Sequence, residues 1–294
     1  MKKAHVIAIF LICIIVPVFA VYTGIQMFDR EFHGSSEDLN YDFNDGDTDE
    51  TPYDPVAPGD VITVGIYNSG FLYHDEHDHG ISKDFVTELF KRMDLKYEIK
   101  VMPRARISSM IEEGSLHMGV QSIRTTEREK YAWFVTYFTE KNSVLVRKTA
   151  NISNEADLLN SRNIKVGIVR GYYYGEYYMD LIEKLKKKRI IVETKDIEEL
   201  FELLRNDWIQ VTFNNPSSYL YYFEKNSIDD IDVIDFDPDG KPLARCLMLS
   251  RKYFTEDHVR EFERVIDEMK KDGTLYEIFN RYLNEEVSEK ACDF

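Results

Sequence analysis

The chain has 294 residues, 44% of them apolar and 31% charged, with a formal net charge of −16. That length holds one or two domains with a full core, and the composition is that of an ordinary globular protein rather than a disordered or collagenous one. The charge excludes nucleic acid as a partner, because a phosphate backbone would be repelled.

Met1-Lys2-Lys3 is basic, and Ala4 to Ala20 contains no charged residue. This is the layout of a secretory signal peptide over 1–20, with Val18-Phe19-Ala20 ahead of a cleavage point. The alternative is an uncleaved anchor, since Val21 to Ile25 extends the apolar stretch towards the roughly 20 residues that a membrane span needs. Either way the protein is expected to be exported, periplasmic or extracellular. From Glu31 to Asp60 there are ten acidic residues, no Lys or Arg, and three prolines. Like charges at low hydrophobicity cannot bury enough surface to fold, so 21–59 is expected to be a disordered acidic linker.

A regular pattern begins at Val61. Val61 to Ile66 predicts a strand, and Ser82 is expected to cap a helix with Phe85, Val86, Leu89, Phe90 and Met93 on one face. Tyr97 to Met102 predicts a strand. Ile107, Met110 and Ile111 predict a helix stopped by Gly114. His117 to Ser122 and Ser143 to Arg147 are expected to be extended. The alternation restarts with a strand at Ile164 to Val169, a helix at about Tyr174 to Lys188 and a strand at Ile190 to Glu193. Asp196 caps the next helix, Ile209 to Phe213 is a strand, and Pro216 opens a helix as proline does in a first turn. Strands follow at Ile231 to Ile234 and Leu243 to Leu249. Thr255 caps a long helix ended by Gly273, and Leu275 to Leu283 line a last one. Strand–helix alternation with one restart predicts an α/β fold with two sheets. A ligand would sit where strand ends and helix N-termini converge.

Three motifs in order carry a resemblance. The first is Glu113-Gly114, a short strand, then Thr125-Thr126-Glu127-Arg128 with Phe134 six residues after the arginine. The second is Val166-Gly167-Ile168-Val169-Arg170-Gly171. The third is Asp272-Gly273-Thr274-Leu275 with Ile278 and Tyr282. Together they resemble the bacterial extracellular solute-binding proteins of family 3. The resemblance implies a two-lobed, type 2 periplasmic-binding-protein-like fold, with lobe 1 from 60–146 and 242–294, lobe 2 from 147–241, and two crossing strands as a hinge. It implies capture of a small polar, carboxylate-bearing ligand such as an amino acid, for uptake by the membrane permease of an ABC transporter. It implies neither catalysis nor a cofactor.

The same resemblance assigns Arg128 to the ligand carboxylate, which a guanidinium fork matches bidentately. Thr125 and Ser122 lie on the same loop as donors, although Thr125 is equally suited to capping. Gly171, Tyr172 and Tyr173 fall between a strand and a helix, where amides can face an anion and rings can wall a ligand. Tyr67 and Phe71 follow the first strand, where the family often covers its ligand with an aromatic ring. Asn215 is read as standing where amino-acid binders place an aspartate for the ligand ammonium, and His117 stands where the family often has Asp. An amide accepts a hydrogen bond but brings no charge.

The cluster His74-Asp75-Glu76-His77-Asp78-His79 has metal-ligand residue types, but it falls in a variable loop of the family, and no metal site is expected. Cys246 and Cys292 are left open as a disulfide or two free thiols. Two other functions stay in play: a ligand-sensing partner of a membrane receptor, and a periplasmic dehydratase-like enzyme, which would need a general acid in the cleft.

Overall fold

The structure is a computed structural model that describes residues 55–57 and 59–294. All of these belong to one unit, Pro52–Phe294. The expected signal peptide or anchor, nearly all of the acidic linker, and Cys13 lie outside the described residues.

The first sheet has the order β2-β1-β3-β10-β4. It is built from β1 (Val61–Ile66), β2 (Lys96–Val101), β3 (Met118–Ser122), β4 (Ala132–Glu140) and β10 (Leu243–Ser250). The second has the order β7-β6-β8-β5-β9, from β5 (Ser143–Arg147), β6 (Val166–Val169), β7 (Ile191–Thr194), β8 (Val211–Asn214) and β9 (Ile231–Ile234). In each, three strands are parallel, and a strand that has crossed between sheets lies antiparallel beside the third. This is the expected two-lobed α/β architecture.

The helices are α1 (Ile81–Arg92), α2 (Arg104–Glu113), the four-residue α3 (Thr126–Glu129), α4 (Glu155–Asn160), α5 (Glu176–Lys187), α6 (Ile197–Arg205), α7 (Pro216–Asn226), α8 (Glu256–Lys271), α9 (Thr274–Asn280) and α10 (Glu285–Ala291). Capping follows side-chain chemistry. Asp196 accepts the Glu199 amide, and Thr255 and His258 form a reciprocal box. Such a cap is worth about 1 kcal/mol. The cap of α1 is Gly80, not Ser82 as expected; Ser82 lies fully buried inside the first turn, its hydroxyl 3.2 Å from that of Tyr137. Both sheets bury apolar residues on two faces, against α1, α8, α9 and α2 for the first and against α5, α6 and α7 for the second. A side chain such as Phe201 or Phe279, removed wholly from water, contributes roughly 1.5–3 kcal/mol.

The first crossing comes earlier than expected. Val144, Leu145 and Val146 were placed in lobe 1, but β5 pairs with both β8 and β9 and is central to the second sheet. The chain therefore changes sheets at Lys141–Asn142. β4 and β5 are two β-rich runs separated by two residues, and nothing in their side-chain pattern marks a change of partner.

The lobes also meet directly. A 3-10 turn, Gly70–Leu72, lies on the N-terminal end of α7. Gly70 has φ +55°, and a Cβ there would stand 2.6 Å from the Ser217 carbonyl oxygen and 2.9 Å from Ser218 Cα. Only glycine allows both this backbone and this approach.

Candidate functional site

The strand ends of the two sheets converge on a cleft lined by Tyr67, Ser69, Arg104 and Ile123 from the first lobe, Tyr172, Tyr173, Tyr174, Asn214, Asn215 and Ser218 from the second, and Asn142 and Arg245 from the crossings. The lobes are closed on it, leaving a cavity of about 20 Å³, little more than one water occupies. A larger cavity of about 420 Å³ adjoins it and shares Asn142, Tyr173 and Tyr174.

Two buried groups frame the cleft at the crossings. Arg245 Nε donates to Glu140 Oε1 at 2.7 Å, and the Ser217 hydroxyl donates to Glu140 Oε2 at 2.7 Å. Burial alone would pull the Arg245 pKa down, but the Glu140 carboxylate, with Tyr67 and Tyr137, holds the guanidinium above its ordinary value. Arg104 reaches across from α2. Its Nη2 donates to the Gly171 carbonyl at 2.9 Å, and its guanidinium carbon stands 5.0 Å from the centre of the Tyr172 ring. Burial, with a smaller push from Tyr67, moves the Tyr172 phenol up to about 12, so it is a neutral donor at physiological pH.

Of the residues expected at the site, Tyr67, Tyr172, Tyr173 and Asn215 line this cleft. Arg128 lies at its margin, half-buried, with Nη1 donating to the carbonyl of the cleft residue Ile123 at 2.9 Å. Ser122 is buried one residue from Ile123, its hydroxyl turned to the Val120 carbonyl at 3.5 Å. Gly171 contributes its carbonyl to Arg104. Thr125 and Phe71 are not brought to the cleft. Thr125 is exposed and caps α3, accepting the Arg128 amide. Phe71 packs on Tyr221 and Tyr282, as an interlobe contact.

Asn215 and its neighbour divide the work differently than expected. Pro216 occupies the first turn of α7, which makes Asn215 the cap; its Oδ1 accepts from Ser218 N at 3.1 Å and lies 2.9 Å from Ser217 Oγ. Asn214 Oδ1 accepts the Asn215 amide at 3.0 Å, which sets the orientation of the Asn214 side chain. Its Nδ2 is buried with no partner. A buried donor left unmade costs about 1–3 kcal/mol, so Asn214 is the residue of this pair with a hydrogen bond left to give. The Asn-Asn-Pro order could have shown this, because a proline at the first helical position commits the residue before it to capping.

Sequence reasoning also missed Arg104, Arg245, Asn142, Ser69, Ser218 and Gln121. Gln121 has φ +60° and is buried; both polar atoms of its side chain lack partners, and its carbonyl accepts from Tyr67 Oη at 3.2 Å. A left-handed non-glycine residue stores on the order of 1–3 kcal/mol, and such strain collects at ligand sites.

In the His-rich loop, His74 stacks on Tyr221 at 5.3 Å and His77 on His79 at 5.5 Å. Among the described residues no group of three His, Cys, Asp or Glu side chains is arranged to hold a metal ion. Cys246 and Cys292 are both free.

Residues 62–285 match the family described as bacterial extracellular solute-binding proteins, family 3. A curated relative is the L-cystine-binding protein TcyA of Bacillus subtilis (strain 168), 23% identical over 236 residues that cover 78% of this chain and 83% of that protein. Similar solved structures include an ancestral arginine-binding protein bound to arginine, 21% identical, covering 76% of this chain and 97% of that one, with a TM-score of 0.61. Another comes from a study of glutathione import via GshT and the cystine ABC importer TcyBC of Streptococcus mutans, 16% identical, covering 77% and 96%, TM-score 0.64. A histidine kinase sensor domain with similarity to periplasmic binding proteins is 12% identical, covering 76% and 96%, TM-score 0.62. At these identities the structures speak for the fold, while the family match spans most of the chain: it belongs to the bacterial extracellular solute-binding proteins, family 3.

Proposed function

We propose that the chain captures a small carboxylate-bearing solute, an amino acid or a related acid, in the interlobe cleft and delivers it to the membrane permease of an ABC transporter. The observation that carries this reading is the half-buried Arg128 guanidinium, which sits beside a polar cleft assembled from both lobes and meets no carboxylate among the described residues. Proteins of this family act outside the cytoplasm, and TcyA is named for binding L-cystine. A binding role suits a cleft whose described lining contains no Asp, Glu, His or Cys and whose titratable groups are arginines and tyrosines. Sensing through a membrane receptor would use the same cleft; pull-down by the purified permease, or by a receptor ectodomain, separates the two.

The test is calorimetry on the full chain with the ligand that gives the largest thermal shift in a screen of amino acids, dicarboxylates and amines. Arg128→Ala removes one partner of a desolvated pair, which costs about 2–5 kcal/mol, or roughly 30-fold to several thousand-fold in affinity. Arg128→Lys is expected to recover little, since an ammonium has no fork. Unchanged affinity in a folded Arg128→Ala protein removes this residue from the site.

A further inference from the structure

The charges around the cleft do not balance. Three guanidinium groups surround it, and one is neutralised: Arg245 by Glu140, with side chains 10% and 5% exposed. Arg104 and Arg128 have no carboxylate within 4.0 Å among the described residues; each donates instead to a neutral backbone carbonyl. Burial lowers the Arg128 pKa, and the charge of Arg104 lowers it further, so these two cations repel each other across the cleft margin. The carboxylates that act on cleft side chains are already committed. Glu140 spends one oxygen on Arg245 and the other on Ser217, and Glu198 accepts from Tyr222 Oη at 2.6 Å. Opposite the two arginines, the second lobe presents amides and phenols, and among the described cleft-lining residues its buried side-chain atom without a partner is a donor, Asn214 Nδ2.

A zwitterionic amino acid would bring no net charge to this pair of cations, and its ammonium would meet no carboxylate in the described lining. A cation would add to the repulsion. Burial makes the unpaired Arg128 charge expensive, and the Arg104 charge beside it adds repulsion, so the ligand that relieves the cleft carries two negative charges and hydrogen-bond acceptors towards Asn214. Guanidinium forks match planar carboxylates.

Resting on the reading of the cleft as the ligand site, we infer that the cleft selects small dicarboxylates, with one carboxylate for Arg128, one for Arg104, and no requirement for an ammonium group. The positive cleft is set in a chain of net charge −16, so its field is local, a short-range selector rather than a long-range attractor.

The experiment titrates the full chain with succinate, malate, 2-oxoglutarate, glutamate, glutamine, arginine, acetate and inorganic phosphate, followed by calorimetry. The expected result is that four- and five-carbon dicarboxylates bind at least as tightly as glutamate and roughly 30-fold or more tighter than glutamine or acetate, the scale of one lost charged partner. Arg104→Gln is expected to collapse that preference, and the ratio between ligands reads out Arg104 even where the variant is less stable. If glutamine or arginine binds more tightly than every dicarboxylate and Arg128→Ala abolishes it, the dicarboxylate inference falls and the cleft reading stands. If dicarboxylates bind but neither Arg128→Ala nor Arg104→Gln weakens them, the cleft reading falls with it. Saturation by phosphate alone, or no thermal shift with any dicarboxylate at millimolar concentration, also overturns the inference.

Discussion

The two lobes repeat one plan and diverge in what they offer. In each, a parallel trio has its first strand in the middle, β1 between β2 and β3 and β6 between β7 and β8. In each, a glycine of that middle strand lets neighbouring side chains close over it: Gly65 under Leu116 and Ile107, Gly167 under Ile209 and Leu200. The third strand of each trio then ends at the cleft. The first lobe supplies charge there, Arg104 and Arg128, whereas the second supplies neutral groups: the Asn214 amide, the Gly171 carbonyl and the Tyr172 ring. A common scaffold thus carries unequal surfaces, and on the proposed reading ligand charge is met by one lobe and hydrogen bonding by the other.

The crossings hold this arrangement, and breaking them gives the largest expected effect on stability. Glu140 closes β4 in the first sheet, Arg245 lies on β10 after the return crossing, and Ser217 starts α7 in the second lobe. Glu140→Ala would leave a buried guanidinium without its carboxylate. The expected loss is about 3–5 kcal/mol, the range for removing one partner of a buried pair, measured by urea unfolding. The double variant Glu140→Ala with Arg245→Met should recover much of it, because it removes the stranded charge. A single Glu140→Ala loss below about 1 kcal/mol would show that the pair contributes little to holding the crossings.

The matched glycines give the next effect. A Cβ on Gly167 would stand 2.3 Å from Ile209 Cδ1 and 2.7 Å from Leu200 Cδ1; on Gly65 its nearest neighbour is Leu116 Cδ2 at 2.8 Å. Overpacking of this kind costs about 1–3 kcal/mol, so both alanine variants should unfold at lower urea, Gly167→Ala the more affected. Equal and negligible shifts would mean that the side chains above them give way freely.

Adjacent asparagines sharpen the contrast between shape and binding. Asn215→Ala should cost about 1 kcal/mol of stability through the lost cap, with ligand affinity little changed. Asn214→Ala should weaken binding by about 1 kcal/mol for a lost neutral hydrogen bond, while its stability sets the removal of an unpartnered amide nitrogen against the lost acceptor of the Asn215 amide. Calorimetry and unfolding on the same two proteins test this, and affinity that tracks Asn215 instead would return the ligand contact to that residue.

These pairs also mark what was legible in the chain. The alternation of strands and helices, the helix start at Pro216, the caps at Asp196 and Thr255 and the stop at Gly114 follow from local chemistry, and local chemistry is written residue by residue. Tyr67, Tyr172, Tyr173 and Asn215 were found because motif position places strand ends at the cleft. Arg104 was not, because it stands at the start of a helix whose motif role is apolar packing, and its partner on the other lobe is 67 residues away. Arg245 and Glu140 were hidden for the same reason at a separation of 105 residues. The change of sheet before Ser143 was hidden because a strand's own pattern says that it is buried, not against which neighbours.

The last contrast lies at the entry to the third strand of each trio. In the first lobe His117 precedes β3 and accepts the Thr63 amide at its Nδ1, at 3.1 Å, with Thr63 Oγ1 2.7 Å from the same nitrogen. In the second lobe Gln210 precedes β8 and its Oε1 accepts the Lys165 amide at 3.0 Å. The two side chains do one job, but only the histidine titrates. Burial lowers the His117 pKa below 6.5, and Lys100 lowers it further against an opposing pull from Asp60. The folded state therefore holds fewer protons on this group than the unfolded chain does. The stability it contributes is present above about pH 6.5 and is lost as pH falls through that value towards the lower folded pKa, because a protonated Nδ1 can no longer accept the Thr63 amide. His117→Gln carries over the second lobe's solution, an acceptor with no proton to gain. Its unfolding midpoint should fall less than that of the natural protein between about pH 7 and pH 5, a window above the range where ordinary carboxylates titrate. Parallel pH curves for the two proteins would show that the lobes differ here in residue type and not in pH response.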